Sequence, residues 1–304
     1  METNIHNDLF IDTIKNKKNA RDFLKGVLPE RISKDLDLSN IEYDDTTYIA
    51  KEFKEFFSDI VIKTKFCNKN MDIYCLIEHK SNLPNKSYFF HQILKYIYLM
   101  FTQDLNNNSD FRLILPIVFY HGKEKWEIPD FFIDIFDVPN NDIKRYLLNF
   151  SYVLFDTKEF DEKNKSRFGE NLYLISVLIA LKRAFYKDDF ESVIKIIKNL
   201  NKAGYLENPE LIGMLLGYIL LTKNINKKKL IEIIYEENEQ GGKKMITLTD
   251  IIREEALQEG KMEGLKEGER NKAIETARKM KQNGFEINLI SEMTGLSKEE
   301  IEKL

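Results

Sequence analysis

Asp59, Glu78 and Lys80 are the residues of this chain whose types and spacing could do chemistry together. Two short segments, Phe57-Ser58-Asp59-Ile60-Val61-Ile62 and Ile73-Tyr74-Cys75-Leu76-Ile77-Glu78-His79-Lys80, are rich in β-branched and aromatic residues and read as strands. A polar run, Cys67-Asn68-Lys69-Asn70, separates them. With Asn68-Lys69 as the tip of a hairpin, opposed residue numbers sum to 137, and Asp59 faces Glu78. Directly opposed positions share a face, with Cβ atoms about 4.5–5.5 Å apart. Alternation then puts Lys80 beside Glu78 and turns His79 away. Two carboxylates suit a hard divalent cation, and a lysine beside them can orient or deprotonate a water. That is equipment for metal-assisted hydrolysis. The plainer reading of the same residues is an exposed cross-strand ladder of ion pairs.

The elements that must position these residues are readable around them. His6 to Val27 has near-helical apolar spacing and is closed by Pro29. Residues 30–50 are polar, with a turn over 35–40 and a strand-like Thr46-Thr47-Tyr48-Ile49. Ser87 to Gln103 reads as an amphipathic helix, with Phe89, Phe90, Ile93, Leu94, Ile97 and Met100 on one face. Leu113 to Tyr120 is a continuous apolar run of strand length, the kind buried on both faces, and His121-Gly122 ends it. Trp126 to Asn140 is a connection covering the core, and Ser151 to Phe155 a last short strand. The first domain, residues 1–160, is therefore mixed α/β. Residues 165–240 have helical periodicity in Leu172–Phe185, Phe190–Leu200, Leu211–Thr222 and Lys229–Tyr235, with a polar break at Glu236–Lys244.

Residues 245–304 form the third part. Glu259-Gly260, Glu263-Gly264 and Glu267-Gly268 recur every four residues, setting a glycine stripe beside a glutamate stripe on a helix. Each glycine costs about 1 kcal/mol in a helix interior. The stripe is either a close-packing face, which would make residues 250–304 a self-association segment, or a lightly helical linker. Ala273–Gln282, Ile287–Thr294 and Ser297–Leu304 then read as three short helices with turns between.

Composition narrows the classes. The chain has 304 residues, 43% hydrophobic and 32% charged, and no apolar run approaches the ~18 residues of a membrane helix. The polar, acidic start lacks the layout of a signal peptide, and two cysteines, Cys67 and Cys75, cannot build a disulfide framework. A cytoplasmic location is the expectation. Net charge is −4, with 20 basic and 24 acidic residues in 1–156 and 26 of each beyond, so bulk electrostatics do not point to a protein that coats nucleic acid.

Phe57-Ser58-Asp59, Glu78-His79-Lys80-Ser81 and Pro116-Ile117-Val118-Phe119-Tyr120-His121-Gly122 together resemble the Rpn family of recombination-promoting nucleases, within the PD-(D/E)XK superfamily. His6-Asn7-Asp8-Leu9-Phe10, Leu28-Pro29-Glu30 and the Glu-Gly repeat with its helical tail are similar to that family too. The resemblance spans nearly the whole chain and is weak over 165–250. It implies an αβββαβ nuclease core followed by an all-helical region, and Mg²⁺- (or Mn²⁺-) dependent endonuclease activity on DNA. It implies that Asp59 and Glu78 hold the metal and that Lys80 serves the attacking water or the transition-state charge. Gln92 on the following helix is the candidate fourth residue, with Tyr96 one turn on; otherwise Gln92 is the polar side of an amphipathic helix. Ser58 stands where the superfamily name puts proline. His121 reads as a hydrogen-bonded strand end, and His6 and Asp8 as helix-capping residues or groups that reach the metal. The alternative from another class is a catalytically silent nuclease fold that regulates through its helical C-terminus.

Overall fold

The computed structural model describes residues 5–43, 60–67, 69–78, 83–161 and 164–245, and of the tail 274–278, 281, 293, 295–297 and 300–301. It divides into two compact units, residues 1–242 and 243–304.

The first unit is built on a five-stranded sheet in sequential order: β1 (Glu42–Tyr43), β2 (Ile60–Phe66), β3 (Lys69–Glu78), β4 (Leu113–Tyr120) and β5 (Val153–Asp156). β1, β2 and β3 pair antiparallel, whereas β3, β4 and β5 run parallel. Parallel neighbours need crossovers. One is helix α4 (Lys86–Asn106), which matches the amphipathic period read over Ser87–Gln103. The other is the irregular stretch 121–152.

Alternation along β4 assigns its two faces. Phe119 stacks on Phe10 of helix α1 (Ile5–Lys15), centroids 3.8 Å apart, and Phe23 of helix α2 (Lys17–Val27) packs on Phe155 of β5. Val118 and Tyr120 join the opposite core with Phe89, Phe90, Ile93, Tyr96 and Met100 of α4. The sheet thus lies between α1/α2 and α4. β4 is buried only from Pro116 onward; Leu113 is exposed, so the run is not covered on both faces throughout.

Local chemistry overrides the periodicity in two places. The segment His6–Val27 is two helices, because Asn16 takes an extended conformation and its side chain accepts from the amides of Lys18 and Asn19. The hairpin register also differs. Phe66 pairs with Lys69 and Ile60 with Cys75, so opposed numbers sum to 135 rather than 137. The two-residue loop begins at Cys67, whose φ of 47° is left-handed as such loops require. Segment 35–37 fixes this choice: the Cys67 amide donates to Asp35 O (3.0 Å) and the Asp37 amide to Lys65 O (2.8 Å). Lys63 then opposes Asp72. The correction of two residues keeps the parity of faces but removes the basis for setting Asp59 directly opposite Glu78.

The helical part follows its apolar period: α5 (Leu172–Arg183), α6 (Phe190–Lys202), α7 (Gly213–Thr222) and α8 (Lys227–Glu237). α5 is buried from Tyr173 to Leu181 and packs against α1, α2, α6 and α7, so these helices and the sheet belong to one unit. The expected break at 236–244 is confined to Asn238; 239–245 is helical, and Asn238 caps it through the Gly241 amide (2.8 Å). Gly26 earns its place by contact, since a Cβ there would lie 2.3 Å from the Phe168 ring.

In the second unit residues 274–278 are helical, and Ala277 and Ile301 are fully buried. Gly295 is left-handed, and Ser297 and Glu300 form a reciprocal capping box at the last helix. Asp59, His79, Lys80, the strand-like 46–49 and the Glu-Gly repeat lie outside the described residues.

Candidate active site

In parallel sheets ligands gather at the carboxyl ends of the strands. Here three strands end level: Glu78 of β3 pairs with Tyr120 of β4, and Tyr120 pairs with Asp156 of β5. Position 78 therefore sits in register on the Tyr120 face of the sheet, the face covered by α4.

Gln92 lies on the inner side of α4, one turn from the buried Phe89, and is 4% exposed. Neither its Oε1 nor its Nε2 has a hydrogen-bond partner among the described residues. Leaving such a group unsatisfied costs about 1–3 kcal/mol. Tyr96, a turn further on, is also buried. Together with the expected carboxylates of Asp59 and Glu78, an amide oxygen would make an all-oxygen donor set, which fits a hard divalent cation and not zinc. Among the described residues no group of three His, Cys, Asp or Glu side chains is placed to hold a metal ion.

Tyr120 is fully buried and sets the end of β4. Its ring packs on Trp126, its hydroxyl donates to Glu124 O (3.2 Å), and a Cβ at Gly122 would lie 2.1 Å from that hydroxyl. The glycine of the Tyr120-His121-Gly122 sequence is thus a packing requirement. Asp156 went unrecognised in the sequence; the only sign is an acid closing a short apolar strand. Its carboxylate accepts from the Lys158 amide (2.9 Å), and the Lys158 ammonium stands 3.6 Å away and over the Tyr120 ring. Burial nevertheless pushes its carboxyl above the ordinary Asp range.

His121 and His6 lie on the other face. His121 is buried and hydrogen-bonded to Thr157 (3.3 Å), as a strand-ending histidine should be. Its ring lies 4.9 Å from Phe185 and 4.6 Å from His6, and His6 Nδ1 is 2.5 Å from the Tyr218 hydroxyl. His6 thereby ties α1 to α7.

The fold and the strand-end acid define a mixed α/β protein with a helical extension. The chain belongs to the family described as "Putative transposase, YhgA-like", which matches residues 4–211. Residues 270–304 match the C-terminal HTH domain of the Rpn/YhgA-like nuclease family. The chain is 24% identical over 299 residues, 97% of its length and 96% of the relative's, to the inactive recombination-promoting nuclease-like protein RpnE of Escherichia coli K12. It is 25% identical over 299 residues, 97% of its length and 95% of the relative's, to recombination-promoting nuclease RpnA of the same strain. Recombination-promoting nuclease RpnD of E. coli O157:H7 is 25% identical over 222 residues, 71% of this chain and 81% of its own. No solved structure matches the chain.

Proposed function

We propose that this chain is a divalent-metal-dependent DNA endonuclease with a PD-(D/E)XK-type core, acting in DNA recombination. The observation that carries the reading is the buried amide of Gln92, without a hydrogen-bond partner among the described residues, on the helix that covers the sheet face on which Tyr120 pairs with position 78. The element order, with helices before an antiparallel three-strand unit and then a crossover helix and a parallel strand, supports the same core. The names of RpnA and RpnD support a nuclease, and the HTH match supports DNA as the partner.

Asp59 and Glu78 would hold Mg²⁺ or Mn²⁺ between their carboxylates. Bound there, the ion supplies Lewis-acid polarisation of a phosphoryl oxygen and a water of lowered pKa. Gln92 orients the attacking water through its amide oxygen. Lys80 offsets negative charge that develops on the phosphate. The second reading, a silent regulator acting through its C-terminus, draws on the relative named inactive; the intact Asp59, Glu78 and Lys80 favour catalysis. Plasmid cleavage decides. Asp59→Ala and Lys80→Ala should each slow it by roughly 100-fold or more, while His79→Ala spares it. Wild-type rates for Asp59→Ala would overturn the proposal.

A further inference from the structure

Residues 131–151, inside the β4–β5 crossover, form an arm that stands on α4. Its base is closed by a bridge between Phe131 and Ser151 and by the Phe132 amide donating to Phe150 O (3.0 Å). Phe132 and Phe150 stack on each other and pack against Phe90, and Asn149 accepts from the Ile133 amide (3.2 Å). The tip is a 3₁₀ turn over Asn141–Tyr146, which the Asn140 side chain caps. Every residue from 139 to 149 is exposed, apolar ones included. Tyr146 is 72% exposed and Leu148 62%, and Ile143, Leu147, Phe131 and Phe136 are exposed with them. An arm so well braced at its base, with this much apolar surface at its tip, is shaped to be covered.

Its charges identify what covers it. The outgoing limb and turn carry Asp134, Asp137 and Asp142, and Lys144 and Arg145 follow. None of the five is in an ion pair among the described residues; Arg145 lies over the neighbouring Tyr146 ring and its Nη2 donates to the Tyr146 hydroxyl (2.7 Å). The net charge is negative, which disfavours a phosphate backbone. Acids on the outgoing limb, Asp134 and Asp137, and bases in the tip turn are self-complementary: a two-fold axis through the arm sets each copy's limb acids against the other's tip bases. We propose that the arm is an isologous interface with a second copy of this chain, Tyr146 and Leu148 at its apolar centre.

Sedimentation of the full-length chain at micromolar concentration tests this. Wild type should sediment as a dimer. Tyr146→Glu with Leu148→Glu should weaken the dimer roughly 30-fold or more, the effect of losing a central apolar contact. Asp134→Lys with Asp137→Lys should weaken it, as should Lys144→Asp with Arg145→Asp, and the four changes combined should restore it. A monomeric wild type, as expected if the arm meets another protein, would overturn the proposal. So would an unchanged mass in the Tyr146/Leu148 variant, the result expected of a dimer held only through residues 243–304, and so would failure of the combined charge reversal to restore association.

Discussion

Gln92 sets the sharpest test at the scale of single residues. A buried amide without a partner weakens the fold, so an apolar side chain of similar size should relieve it. Gln92→Leu is expected to stabilise the protein by about 1 kcal/mol and to lower plasmid cleavage by roughly 10-fold or more. Urea midpoints and cleavage rates measured on the same preparation check both halves. A destabilised, fully active variant would make Gln92 a structural residue. Gln92 was legible only through the family resemblance, which puts a glutamine on the helix after the Glu78 strand; the helical period alone allowed it on the polar side, and its burial is a finding of the structure. Asp156 was not, because one acid after four apolar residues is ordinary, and only the parallel register of β4 and β5 brings it level with Glu78.

Between elements, Asp104 and Arg112 join the end of α4 to the start of β4. The Asp104 carboxylate accepts from Arg112 Nε (2.8 Å), from the Arg112 amide (3.1 Å) and from the guanidinium Nη2, and it is nearly fully buried. Burial alone would raise its pKa; the Arg112 hydrogen bonds and charge, aided by Lys63, outweigh it and hold the carboxyl below the ordinary Asp range. The unfolded chain therefore binds a proton at higher pH than the folded one. The pair stabilises the fold above the ordinary Asp value, and that contribution is lost as pH falls through the folded pKa. Asp104→Asn should cost about 3 kcal/mol at neutral pH and flatten the acid side of the stability profile. Urea midpoints from neutral pH into the acid range test this, and parallel profiles for variant and wild type would refute it. Period and length revealed α4, β4 and the helices after residue 170 because each is decided by its own apolar stripe. The Asn16 break and the hairpin register were hidden because a single side-chain cap and the strap at 35–37 decide them.

Across the whole molecule, the Gly260, Gly264 and Gly268 stripe and the HTH match at 270–304 give the second unit two proposed tasks, self-association and a grip on DNA. A 1–242 truncation should bind duplex DNA more weakly than the full chain, with a shallower dependence of affinity on salt as phosphate contacts are lost. Filter binding across a salt series measures both, and identical slopes would leave residues 243–304 without a part in DNA binding. The central claim is that the Glu78 strand end is a metal-dependent hydrolytic centre. Its most direct test is nicking of supercoiled plasmid by the full-length chain across a Mg²⁺ titration, with Glu78→Ala alongside. Cleavage should rise with Mg²⁺, vanish in excess chelator, and fall roughly 100-fold or more in the variant. Undiminished cleavage in chelator, or a Glu78→Ala protein that cuts at the wild-type rate, would contradict the account.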